Sequence, residues 1–205
     1  MISTIFKTIL VQCFLFFGHC NSQTTIKKST HETIKTSLSD TLQVGYTYWW
    51  PESGPFIGNC GNEYSFVFIG TVKNIDNPLE DSTKLYTSQK GLIEINEVLT
   101  LRNLKSNTNT QLKYFMSDCF NDLNVKEGDR VIVFCYEYEE NYSIPGGKSI
   151  LKIDNINSPI VISIKKYIES NQNPLSIKQD VTLWKMYDLD TQLKQIIECE
   201  EMMSK

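Results

Sequence analysis

The chain has 205 residues, is 40% hydrophobic and 11% aromatic, and carries a formal net charge of −4. That apolar content is enough for a packed core, and the length remaining after loss of a leader suits one domain. Arginine occurs only at Arg102 and Arg130, so the chain lacks the basic footprint that phosphate-backbone binding requires, and nucleic acid is excluded as an expected partner.

The N-terminus reads MISTIFKTILVQCFLFFGHCNSQ. Lys7 precedes an apolar run, Thr8 to Phe17, of about ten residues, too short to span ~30 Å of hydrocarbon. Gly18, Cys20 and Ser22 supply small residues after it. This is the pattern of a secretory signal, residues 1–22, cut after Ser22 to leave Gln23 first. The alternative is a lipid anchor on Cys20, disfavoured by His19, which stands where a lipoprotein signal has a small residue. The expected location is secreted, periplasmic or in the cell envelope. No later segment is long and apolar enough for a transmembrane helix.

Residues 23–44 read as a flexible lead-in, because TTIKKSTHETIKTSLSDTL buries too little to offset its ordering entropy. Residues 45–205 read as a single domain. It begins with GYTYWWPESGPFIGNCG, an aromatic cluster followed by Pro51, Gly54, Pro55, Gly58 and Gly61, which forbid a helix. Ser65 to Ile75 is a strand. Phe66, Phe68 and Gly70 share one side and Val67, Ile69 and Thr71 the other, so it is central, buried on both faces. Gly70 marks a bulge or sharp bend.

Further strands are expected at 91–101 (GLIEINEVLTL), 111–117 (QLKYFMS), 131–138 (VIVFCYEY) and 149–153 (SILKI). VKEGDR, with Gly128 free to take positive φ, and NYSIPGGK read as turns. A short helix follows Pro159. In YDLDTQLKQIIECEEMM, Leu189, Leu193, Ile196, Ile197 and Met203 fall on one helical stripe, with Asp188 and Asp190 placed well for the macrodipole.

Removal of the signal leaves Cys60, Cys119, Cys135 and Cys199. An even number in an exported chain points to disulfides, and four cysteines allow three pairings among which sequence does not choose. Cys135 alternates with Val131 and Val133, so it belongs to a core row. It reads either as a small buried hydrophobe or as one end of a Cys135–Cys199 bridge tying helix to barrel.

Three pieces in order carry a resemblance: Cys60 followed by YSFVFIGTV, a strand ending INEVLTL, and Cys119-Phe-x-x-Leu-x-Val-x-x-Gly128-Asp-x-Val-Ile-Val-Phe. Over about residues 60–153 the chain resembles the netrin-like, or tissue-inhibitor-of-metalloproteinase-like, OB-fold group, which includes exported bacterial proteins of unassigned role. The resemblance implies a Cys60–Cys119 bridge; both cysteines also lie in polar loops beside core strands. The inhibitors of that group chelate a target's zinc through an N-terminal cysteine, whereas Cys60 has a long segment before it and no Cys-x-Cys start. The expected fold is mainly β: a five-stranded OB-like Greek-key barrel with a C-terminal helix.

No metal or other cofactor is expected: the cysteines are widely separated, and the histidines, His19 and His31, fall in the signal and lead-in. Histidine-based catalysis is thereby excluded from the folded region. Asp118, Asp122, Glu127 and Asp129 cluster around Cys119, and Glu137, Glu139 and Glu140 end a strand; these read as solvated loop charge, with a carboxylate-dependent hydrolase the weaker alternative. Tyr46, Tyr48, Trp49 and Trp50 offer either a stacking platform for sugar or peptide or a plug for one barrel end. The expected function is a non-catalytic binding module with a protein or glycan ligand. A protease inhibitor acting through surface loops is the rival.

Overall fold

The computed structural model describes residues 40–45, 54–56, 64–79, 87–102 and 112–205. These fall within one unit, residues 36–205. The signal, most of the lead-in, Tyr46, Tyr48, Trp49, Trp50 and Cys60 lie outside the described residues.

The fold is mainly β. Seven strands are described: β1 (Thr41–Val44), β2 (Tyr64–Ile75), β3 (Gly91–Leu101), β4 (Tyr114–Ser117), β5 (Arg130–Tyr138), β6 (Asn141–Ser143) and β7 (Ile150–Ile153). They form one sheet in the order β1-β4-β3-β2-β5-β6, with β7 also on β5. β1 runs parallel to β4, and the other pairs are antiparallel. Five strands were expected, and four of those have nearly the predicted bounds. The two additions are short. β1 was read as lead-in, although Val44 is buried; β6 was read as part of a turn.

The sheet curls into a nearly closed barrel. Val44 of β1 shares one interior cluster with Tyr142 of β6 and Ile150 of β7, so the two ends of the sheet wrap around the same side chains. Phe66, Phe68 and Val72 of β2 and Val131, Val133 and Cys135 of β5 point into that interior. Their alternates, Val67, Ile69, Ile132, Phe134 and Tyr136, face a helical layer on the other side. Period-two alternation with apolar residues on both faces is what makes β2 and β5 central.

Bulges set the curvature. β2 slips register against β3 at Val67/Phe68, Ile69/Gly70 and Val72/Asn74. At Gly70 a Cβ would lie 2.4 Å from Ile93 Cγ2 and 2.6 Å from the Glu94 carbonyl oxygen, so only glycine lets β3 approach there. Ser65 is the extra residue of a further irregularity against β5, where Tyr64 pairs with Tyr136 and Phe66 with Cys135. Its hydroxyl donates to the Cys135 carbonyl at 3.2 Å. The slip turns Tyr64 to the helical side, where it packs with Tyr136 and Tyr167.

The helical layer comprises α1 (Pro159–Glu169), a 3₁₀ segment (Pro174–Asp180), α2 (Val181–Lys185) and α3 (Asp190–Met203). Pro159 opens α1, where its missing N–H costs nothing. Ile160, Val161, Ile164 and Tyr167 then repeat at helical spacing and are buried. In α3 the buried stripe is Leu193, Ile196 and Ile197, with Leu189 buried just before it. Met203 does not join it and is 66% exposed. Trp184 of α2 is fully buried, edge-on to Phe56, and its indole N–H donates to Ser163 Oγ at 3.0 Å. Ser163 Oγ in turn donates to Asp180 Oδ2 at 2.8 Å. Among the described residues no helix is long and apolar enough to cross a membrane.

Candidate functional site

The reactive side chains singled out in the sequence gather along the connection from β4 to β5 and at the far end of β5. Backbone pairing ties this connection to β3: Gln89 N donates to Asp118 O at 3.1 Å and Phe120 N to Gln89 O at 3.0 Å. The Phe120 ring lies over Gly91, where a Cβ would meet it at 2.5 Å. The following turn docks on β2. Gly128, at φ 86, donates its N–H to Val72 O at 2.8 Å, and Val72 N donates to Asp129 O at 2.9 Å.

Within this frame the carboxylates hold structure. Asp129 Oδ2 accepts from Lys126 N at 2.9 Å and pairs with Lys152 Nζ of β7 at 2.7 Å. The Lys152 hydrogen bond chiefly holds the Asp129 carboxyl below its ordinary range. Glu127 Oε1 accepts from Ile75 N at 3.4 Å, and Asp122 Oδ2 from Asn121 Nδ2 at 2.7 Å. Glu137 lies 4.0 Å from Arg102. Glu139 and Glu140 form the β5–β6 hairpin turn with φ of 49° and 60°. The carboxylates of Glu127, Asp129 and Glu137 thus each meet a strand end, a turn or a cation. Among the described residues no group of three or more His, Cys, Asp or Glu converges as metal ligands would.

The thiols are inside the barrel. Cys119 is 7% exposed and Cys135 is fully buried, both in the interior cluster. Ser117 Oγ donates to Cys119 Sγ at 3.4 Å. Burial pushes the Cys119 thiol up to about 12, and burial, reinforced by Cys119, pushes Cys135 well above its ordinary value. Burial thus disfavours the thiolate form of both in the folded chain.

Both cysteines are free thiols, and neither expected bridge is seen in this structure. The Cys60–Cys119 bridge implied by the resemblance is not present at Cys119, whose sulfur is turned into the barrel; Cys60 lies outside the described residues. The Cys135–Cys199 bridge is not formed either. Cys135 points into the barrel, whereas the buried residues of α3, the helix that carries Cys199, pack on the opposite face of the sheet.

The aromatic run Tyr46, Tyr48, Trp49 and Trp50 follows β1 directly, since Val44 ends that strand and Gly45 is the last residue described before it. Two polar arrangements escaped the sequence reading: the Trp184–Ser163–Asp180 chain and the amide pairing of Gln172 with Tyr64. Neither has a local signal, because each joins positions many residues apart. Compared with known proteins, the chain matches no protein-family model and no curated protein.

Proposed function

We propose that the protein is an exported, non-catalytic binding module of the cell envelope or exterior, with a protein or glycan ligand engaged by Tyr46, Tyr48, Trp49 and Trp50. The observation that carries this reading is the position of β1. It is the terminal strand of the sheet, anchored by Val44 in the barrel interior, and the aromatic run begins one residue beyond its exposed Gly45. Aromatic faces give contact area at low entropy cost, and a run leaving a fixed strand end starts from a rigid base. The structural duties of the carboxylates at the β4–β5 connection favour this reading over a hydrolase.

The barrel is read here as OB-type, with the path β4-β3-β2-β5-β7 as its five-stranded wall and β1 and β6 as additions. The netrin-like resemblance supports this assignment, and ligand type does not follow from the fold.

The test is binding of the mature chain to glycan and peptide arrays, read beside Trp49→Ala/Trp50→Ala with far-UV circular dichroism as the fold control. The expected result is a hit that the double variant loses while remaining folded. Binding to neither array, or binding unchanged in the variant, overturns the reading. Turnover lost in Asp118→Asn or Glu127→Gln would establish the hydrolase instead, and slowed cleavage by a metalloproteinase the inhibitor.

A further inference from the structure

We infer that, when the chain folds in an oxidising compartment, Cys119 bonds to Cys135. The argument is one of sidedness. Four cysteines permit three complete pairings. Two of these require Cys199 to bond with Cys135 or with Cys119. Cys119 and Cys135 both lie in the barrel interior, bounded by β2 and β5, while the buried face of α3 packs on the outer side of those same strands. A disulfide needs Cα atoms about 5.5 Å apart, less than the ~10 Å between packed layers, so a bond from α3 through the sheet is forbidden. One complete pairing survives.

Two features favour the surviving pair. Cys119 sits on the connection that follows β4, held by two backbone hydrogen bonds to Gln89 rather than by a continuous ladder, so it can adjust toward a fixed β5. Both side chains also belong to the one cluster that fills the barrel interior. In the structure they stand as a dithiol.

The chemistry needs a disulfide-bearing oxidant, such as an exported thiol oxidoreductase or oxidised glutathione. One cysteine, as thiolate, attacks the oxidant's disulfide, forms a mixed disulfide and expels one oxidant thiolate. The second cysteine, also deprotonated, attacks the first cysteine's sulfur and expels the other. Two electrons pass to the oxidant, which leaves as two thiols. Burial closes this route in the finished barrel, so the exchange takes place before the interior seals.

The experiment refolds the chain in a glutathione redox buffer, denatures it without reductant, alkylates it and maps the peptides. The expected map contains a 119–135 cross-linked pair, and in Cys119→Ser the residue Cys135 becomes alkylated. A Cys60–Cys119 or Cys135–Cys199 link, or alkylation of both Cys119 and Cys135 in the wild type, overturns the inference. If Cys119→Ser does not fold, the wild-type map decides alone.

Discussion

The side-chain amide of Gln172 pairs with both backbone groups of Tyr64: Oε1 accepts from Tyr64 N at 2.6 Å, and Nε2 donates to Tyr64 O at 3.3 Å. Tyr64 is the first residue of β2, and the ladder to β3 begins only at Phe66. Gln172 therefore acts as a one-residue strand where β3 has run out. Reaching that position puts both Asn171 and Gln172 in the left-handed region, at φ 56° and 58°. Two buried backbone groups, otherwise unpaired, outweigh that strain.

Gln172→Ala keeps the left-handed backbone and loses both bonds. It should cost about 1–3 kcal/mol in urea unfolding, the penalty for stranding buried polar groups. Asn171→Gly relieves strain without touching the amide and should stabilise by about 0.5–1 kcal/mol. An unchanged midpoint in Gln172→Ala would show that water replaces the amide fully.

Gly70→Ala tests the barrel bend. The new methyl would press on Ile93 and on the Glu94 carbonyl, and the backbone contact cannot be relieved by a rotamer change. A loss of about 1–3 kcal/mol is expected, as for overpacking in a filled core. In a double-mutant cycle Ile93→Ala, which by itself costs about 2–5 kcal/mol at this buried site, should cancel only part of the Gly70→Ala penalty, because the carbonyl remains. Full recovery would mean that the side chain alone sets the requirement for glycine.

These two sites also show what the sequence can and cannot convey. The alternation of Phe66 and Phe68 with Val67 and Ile69 is local, so the two faces of β2 were legible, and Gly70 announced the bend. Tyr64 was not: its spacing from Phe66 predicts a shared face, and only the slip at Ser65 turns it away. β1 has four residues and little hydrophobic signal, and its pairing depends on β4 far along the chain. Cys135 was correctly placed in a core row with Val131 and Val133. Its separation from Cys199 became visible only once α3 was set on the other face. Asp129 read as loop charge because its partner Lys152 lies on a different strand.

The β5–β6 hairpin turns on Glu139 and Glu140, both in the left-handed region, between the paired Tyr138 and Asn141. A two-residue turn of this kind prefers Asn-Gly. Glu139→Asn/Glu140→Gly should stabilise by about 1 kcal/mol, seen as a higher urea midpoint with unchanged m-value. The same variant removes two candidate acids, so ligand binding retained at full strength would place recognition elsewhere. Destabilisation would instead reveal that the glutamates make contacts that outweigh the backbone strain.

Acid should weaken the fold in part through Asp129. Its carboxyl is held below the ordinary value of 3.8, first by the Lys152 hydrogen bond and then by the Lys126 N–H. The unfolded chain therefore takes up the proton at higher pH than the folded one. The stabilisation is complete above the ordinary value and disappears as pH falls through the lower, folded one. Asp190 behaves alike through Lys194 Nζ at 2.7 Å, so the acid limb has at least two contributors. Asp129→Asn should be less stable than wild type at neutral pH and lose less on acidification, so the melting curves of the two proteins converge as pH falls through and below the ordinary value of 3.8. Lys152→Met should produce the same convergence from the other side of the pair. A constant gap between wild type and Asp129→Asn across that range would separate the ion pair from the acid response and leave Asp129 acting only as a turn acceptor for Lys126.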